Sequence, residues 1–198
     1  MSATSAPTLA GRVGAVAIGT SAGGVEALSA ILPALPATFR PPVFVVLHLP
    51  RERPSLLTHI FESRCAVPLR EAEDKEPIEA GTVYFAPPDY HLLIERDGTL
   101  ALSRDDQVNF SRPSIDVLFE SAAEAYHARL LGVILTGANS DGAAGLAAVR
   151  SAGGIAVVQD PAEAQAAAMV EAALARTAVD YVLPLRDIAA LLRTIDGS

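Results

Sequence analysis

The stretch Val13-Gly14-Ala15-Val16-Ala17-Ile18-Gly19-Thr20-Ser21-Ala22-Gly23-Gly24 constrains this chain more than any other. An unbroken run of small and β-branched residues reads as a buried strand over residues 13–18. Gly19 and the Gly23-Gly24 pair permit a tight turn, and a helix over residues 25–32 follows. Ser21 is thereby placed at the carboxyl end of a strand and the start of a helix. In open α/β sheets that is the edge where ligands bind. A hydroxyl there serves as a nucleophile, as a cap for the helix, or within a glycine loop that cradles phosphate. The turn alone leaves all three open.

The rest of the chain alternates apolar β-rich runs with amphipathic or alanine-rich segments, the pattern of βαβ units. Strands are expected over residues 43–47, 82–85, 130–135, 155–159 and 181–183. Helices are expected over 54–64, 115–126, 143–151 and 187–195, with an alanine-rich helix between 159 and 181. Residues 91–95 and 99–103 flank Asp97-Gly98, a hairpin turn signal. Residues 104–112 read as a polar loop. Continuous apolar strands predict a three-layer, doubly wound α/β fold: a mostly parallel sheet, helices on both faces, and an antiparallel hairpin. Residues 12–196 are expected to form one domain behind a flexible tail over residues 1–11.

Charge and cysteine content narrow the function classes. Fifteen basic against 23 acidic residues give a net charge of −8, which disfavours nucleic-acid and anionic-membrane binding. No apolar run approaches the ~20 residues of a membrane span, and the N-terminus lacks the basic region of a secretory signal. No direct membrane insertion is expected. The single cysteine, Cys65, reads as an apolar filler and fits a reducing, cytoplasmic setting. No metal-ligand spacing is present in the sequence, and neither a metal nor a cofactor is expected.

Gly19-Thr20-Ser21-Ala22-Gly23 matches the Gly-x-Ser-x-Gly nucleophile elbow letter for letter. A nucleophilic serine needs a base within hydrogen-bond reach, and the base needs an orienting carboxylate. Of four histidines, His59, His91 and His127 read as surface or element-flank residues. His48 follows the apolar run 43–47 directly and so lies on the same sheet edge as Ser21. Asp141 follows the apolar run 130–135 through a glycine-bearing loop, where it also reads as a helix N-cap. Three strands thus deliver Ser21, His48 and Asp141 to one edge, and that joint occurrence favours catalysis. The order Ser, His, Asp, with one strand before the serine, disfavours the α/β-hydrolase fold, which runs Ser, acid, His.

At these loops the sequence resembles the catalytic domain of the bacterial chemotaxis methylesterases (protein-glutamate methylesterase/glutamine deamidase). Gly19-Thr20-Ser21-Ala22-Gly23-Gly24 matches that family's Gly-Ala-Ser-Thr-Gly-Gly turn, and Val46-Leu47-His48 its Val-Gln-His strand end. Leu135-Thr136-Gly137-Ala138-Asn139-Ser140-Asp141-Gly142-Ala143 matches its Leu-Thr-Gly-Met-Gly-x-Asp-Gly-Ala loop. Further likenesses are Gly81-Thr82-Val83-Tyr84-Phe85-Ala86-Pro87, Arg112-Pro113-Ser114-Ile115-Asp116-Val117-Leu118-Phe119 and Gln159-Asp160-Pro161.

The resemblance implies Ser21 as nucleophile, His48 as general base then acid, and Asp141 as the orienting carboxylate. It implies hydrolysis of glutamate γ-methyl esters on the cytoplasmic domain of methylated chemoreceptors, and in some members deamidation of receptor glutamines. Backbone N–H groups of Ala22, Gly23, Gly137, Ala138 and Asn139 are candidates for the oxyanion and substrate loops. Ala22 stands where the family has threonine, Ala138-Asn139 where it has Met-Gly, and Val170 where it has proline after Met169.

Well-known family members carry an N-terminal receiver domain, for which this sequence has no room before its first strand. It reads either as a catalytic fragment or as a stand-alone esterase, with a separate receiver or other regulatory protein as a further partner. Arg51 and Arg53 could flank the cleft and meet an acidic receptor surface. Other readings are a serine esterase of the same fold acting on another protein or a small ester, a non-catalytic regulatory module, and a nucleotide-binding module. The last is disfavoured by the lack of a Walker lysine.

Overall fold

Residues 9–48 and 56–196 are described by the computed structural model of the chain. In chain order the elements are β1 (Ala15–Thr20), α1 (Gly24–Ile31), β2 (Val43–Leu47), α2 (Leu57–Glu62), β3 (Leu69–Glu71) and β4 (Val83–Phe85). They continue with β5 (His91–Ile94), β6 (Leu100–Ser103), α3 (Ile115–Tyr126), β7 (Leu130–Ile134) and α4 (Ala143–Ser151). The chain closes with β8 (Ile155–Gln159), α5 (Ala168–Arg176), β9 (Tyr181–Leu183) and α6 (Leu185–Arg193). Short 3₁₀ turns follow α1, α3 and α6.

Seven strands form one sheet in the order β3-β4-β2-β1-β7-β8-β9, and every pairing in it is parallel. The chain builds outward from β1 on one side, then returns to lay β7 against the other side of β1. The strand order therefore reverses between β1 and β7, and an open α/β sheet has its binding crevice at the carboxyl ends of such a pair.

Alternation along the strands decides what each face buries. Val16 and Ile18 of β1, Val43, Val45 and Leu47 of β2, and Leu131 and Val133 of β7 face one core, which α1, α2 and α6 cover. Ala15, Ala17, Phe44, Val46, Leu130 and Ile134 face the other, covered by α3, α4 and α5. Because both faces are covered, β1, β2, β7 and β8 are buried at every residue, which is why they read as continuous apolar runs. The expected doubly wound α/β architecture is the one observed.

The hairpin forms as expected, as a separate two-stranded sheet of β5 and β6 rather than part of the main one. The Asp97 side chain accepts hydrogen bonds from the Thr99 N–H and hydroxyl at its turn. Leu92, Ile94 and Leu100 share the core of α3, and the Ile94 N–H donates to Ser121 Oγ at 3.1 Å.

Several boundaries differ from expectation. β1 runs from Ala15 to Thr20 because its ladder continues through Gly19 and Thr20, which pair with Val46 and Leu47. Gly19 is thus a strand residue, not a turn residue. It lacks a side chain because the start of α3 presses on it: a Cβ there would lie 2.2 Å from Ile115 Cγ2. The turn itself is made by Gly23, whose φ of 79° caps α1. β3 was not expected; it is a three-residue edge strand with two exposed residues. Helix α2 is shorter than expected, although residues 54 and 55 lie outside the described residues. Helix α6 begins two residues early and ends in a 3₁₀ turn. No helix among the described residues is long and apolar enough to cross a membrane.

Candidate active site

The loops that leave β1, β2 and β7 are bound to one another by hydrogen bonds between backbone groups and from threonine side chains. Thr136, just beyond β7, accepts from the Ser21 N–H at 3.0 Å and from Thr20 Oγ1 at 2.8 Å. Its own hydroxyl donates to the Ala22 carbonyl at 2.9 Å, and the His48 N–H donates to the Thr20 carbonyl at 3.2 Å. The Thr136 N–H is held by Gln159 Oε1 at 2.8 Å, from a side chain only 1% exposed. These contacts fix Ser21 and His48 side by side at the carboxyl edge, at the point where strand order reverses.

Asp141 lies behind His48, fully buried. Its Oδ2 accepts from His48 Nε2 at 2.9 Å and from the Ile115 N–H at 2.6 Å. Its Oδ1 accepts from Ser114 Oγ at 2.8 Å, Asn109 Nδ2 at 3.0 Å and, more weakly, the Asp116 N–H at 3.3 Å. The carboxylate therefore sits on the N-terminus of α3, where the helix dipole favours an anion. This corrects its reading as a cap of its own following helix; α4 is capped by Gly142, with φ 94°. Burial pushes the Asp141 carboxyl up. The hydrogen bonds from His48, Asn109, Ile115 and Ser114 outweigh it and hold the group below the usual carboxylate range.

Asn109 lies in the segment whose sequence reads only as a polar loop. Its side-chain amide bridges Asp141 and Asp116, at 3.0 and 2.8 Å. Asp116 is itself buried, its carboxyl pushed up first by that burial, although the Gly145 N–H donates to it at 2.6 Å. Asn109 has φ 51°, a left-handed conformation that asparagine tolerates. Its residue type was the one available signal.

Because Asp141 is an anion saturated with donors, His48 Nε2 carries the proton toward it. In the neutral ring that leaves the lone pair on Nδ1. Asn139 Nδ2 lies 3.4 Å from that Nδ1, while Asn139 Oδ1 accepts the Asp141 N–H at 3.2 Å. Ser21, His48 and Asn139 line a cleft of about 190 Å³, and residues 110–113 form a continuous stretch of its wall. Phe110 stands 96% exposed at its rim. Arg112 anchors this wall through Asp89 at 2.7 Å and the carbonyls of Arg104 and Asp105 at 2.9 Å. Among the described residues, Ser21 Oγ makes no hydrogen bond. Catalytic hydrogen bonds are commonly long before substrate binds.

Of the loop candidates, Gly137 is removed as an oxyanion donor, because its N–H donates to the Ala166 carbonyl at 2.9 Å. The Ser21 and Thr136 N–H groups are engaged in the same way. Ala22 and Ala138 are exposed, and Gly23 opens α1. His59 and His127 are exposed and outside the site. His91 is not a surface residue as expected; it is 2% exposed and braces the loop before α3. It accepts from the Ser114 N–H and contacts the Asp106 carbonyl. Cys65 is half-buried, and burial pushes its thiol up, which suits an inert filler. Arg51 and Arg53 lie outside the described residues.

The family model described as CheB methylesterase matches residues 16–192. The chain belongs to the CheB methylesterase family. A protein-glutamate methylesterase/protein-glutamine glutaminase of Trichodesmium erythraeum is 36% identical over 189 residues, which cover 94% of this chain and 54% of that protein. A Leptospira interrogans protein provisionally given the same name is 52% identical over 182 residues, 92% of this chain and 94% of its own length. The crystal structure of the Thermotoga maritima CheB methylesterase catalytic domain superposes with a TM-score of 0.87 at 34% identity, covering 91% of this chain and 97% of that one. Within the matched region the Asn139 side chain faces the His48 ring.

Proposed function

We propose that this chain is a protein-glutamate methylesterase that acts in the cytoplasm on glutamate γ-methyl esters of chemoreceptors, with Ser21 as nucleophile, His48 as base and Asp141 as its orienting carboxylate. The observation that carries the reading is the 2.9 Å His48–Asp141 hydrogen bond beside Ser21 at the sheet edge where strand order reverses. Ser21 Oγ attacks the ester carbonyl carbon while His48 Nδ1 takes its proton. The resulting imidazolium is stabilised by the buried Asp141 carboxylate.

Collapse of the tetrahedral intermediate breaks the bond to methoxide, which takes the proton from Nδ1 and leaves as methanol. Water then attacks the Ser21 acyl ester, giving its proton to Nδ1. Collapse of this second intermediate breaks the bond to Ser21 Oγ, which takes the proton back from Nδ1, so the glutamate carboxylic acid is released and Ser21 and His48 are restored. Helix-start N–H groups at Ala22 and Gly23 favour the negative charge on the carbonyl oxygen. Glutamine side chains follow the same path, with ammonia as leaving group.

The test compares turnover of methylated receptor membranes with that of a generic aryl ester, alongside labelling by a fluorophosphonate. The reading expects methanol release from receptor and covalent labelling at Ser21. Aryl-ester turnover without methanol release would assign another ester substrate. Absence of both turnover and labelling would assign a non-catalytic module.

A further inference from the structure

A hydrolytic site of this kind needs N–H donors for the oxygen that becomes an oxyanion, and beside the helix-start N–H groups of Ala22 and Gly23 several backbone donors that border the site are engaged elsewhere. The N–H groups of Ser21, Thr136 and Gly137 are engaged by the Thr136 carbonyl, Gln159 Oε1 and the Ala166 carbonyl. A side-chain donor, however, lies inside the cleft. The amide orientation of Asn139 is fixed, because its Oδ1 accepts the Asp141 N–H and so turns Nδ2 toward His48. At 3.4 Å the contact between Nδ2 and His48 Nδ1 is long for a hydrogen bond. It also occupies the lone pair that the Ser21 hydroxyl must use.

We propose that the Asn139 side-chain amide is a catalytic oxyanion donor: it rests on the base lone pair of His48 and is passed to the substrate carbonyl oxygen when the Ser21 hydroxyl takes that lone pair. The inference rests on the assignment of Ser21 and His48 above. Before substrate binds, the amide keeps a partner. In the Michaelis complex Ser21 O–H donates to Nδ1, and the displaced Asn139 N–H meets the ester oxygen beside it. As Oγ attacks, negative charge grows on that oxygen and the hydrogen bond strengthens, which is the differential binding that raises kcat rather than lowering KM. The helix-start N–H groups of Ala22 and Gly23 remain beside it, so the side-chain donor is an addition to backbone donors. Its loss should cost at least about tenfold, below the ~10²–10³-fold typical of a sole side-chain donor.

Two variants separate the donor from its neighbours' roles. Asn139→Asp keeps the oxygen that accepts the Asp141 N–H but removes the donor; Asn139→Gly removes both and adds no charge. Methanol release is measured per Ser21 titrated with fluorophosphonate, so any unfolded fraction is not counted. The proposal expects kcat to fall at least about tenfold in both variants, with KM within about threefold. If Asn139→Asp alone retains kcat, the residue only positions Asp141. If Asn139→Gly alone retains it, the loss in the other variant is a charge effect. If Asn139→Gly is faster than wild type, the amide merely blocks the base. Each of these overturns the proposal. Failure of fluorophosphonate to label Ser21 in the wild type, with turnover retained in Ser21→Ala, would instead overturn the triad assignment.

Discussion

Replacing Asp141 with asparagine tests how the buried carboxylate sets the histidine. Oδ1 receives three donors, from Ser114, Asn109 and Asp116, whereas Oδ2 receives two, from His48 and Ile115. The single oxygen of the new amide is held where three donors converge, so its NH₂ faces His48 Nε2 and the Ile115 N–H. Nε2 must then accept, the ring proton moves to Nδ1, and the lone pair leaves the cleft. A wrong-tautomer histidine costs about 10⁴-fold in kcat in triads of other folds. The Ile115 N–H, formerly 2.6 Å from its acceptor, is left buried and opposed by another donor. That costs about 1–3 kcal/mol, or roughly 2–12 °C in Tm for a domain of this size.

Esterase kinetics and thermal unfolding of Asp141→Asn measure the two effects. A kcat within tenfold of wild type would refute the tautomer argument, and an unchanged Tm would refute the account of α3. The same pair gives a pH dependence. The Asp141 carboxyl is held low in the folded state, so its stabilisation is full above the unfolded value of about 3.9 and is lost as pH falls through the lower folded value. The stability gap between wild type and variant should therefore narrow below about pH 4; a constant gap contradicts this.

Gly19→Ala forces a methyl to within 2.2 Å of Ile115 Cγ2 and should cost about 1–3 kcal/mol by urea unfolding; an unchanged midpoint would show that α3 can move away freely. Gln159→Leu strands the buried Thr136 N–H and should destabilise by about 1–3 kcal/mol, again read in urea. Phe110→Ala should leave stability within about 0.5 kcal/mol, since the ring is 96% exposed. It should raise KM for receptor but not for a small aryl ester, and equal KM values for receptor would remove Phe110 from substrate contact.

The alternation of elements was legible because β1, β2, β7 and β8 are covered on both faces, and such strands show as unbroken apolar runs. It was also legible that Ser21, His48 and Asp141 share an edge, since each directly follows or closely trails one of those runs. Three features were not. Gly19 reads as a turn residue because its packing partner, Ile115, is 96 positions away in sequence. The role of Asp141 at the N-terminus of α3 depends on a contact between two segments about 25 residues apart. β3 is too short, and too polar on its outer side, to give a periodic signal. Asn109 and Asn139 illustrate the same limit: a polar residue in a loop carries no periodicity, and only the fold reveals that one bridges two carboxylates while the other faces His48.

The central claim is that Ser21 performs the hydrolysis. Its most direct test is methanol release from methylated receptor membranes by wild type and Ser21→Ala, with thermal unfolding of both. The account predicts release by the wild type, none above background from the variant, and matching Tm values. Methanol release by a folded Ser21→Ala protein would contradict it.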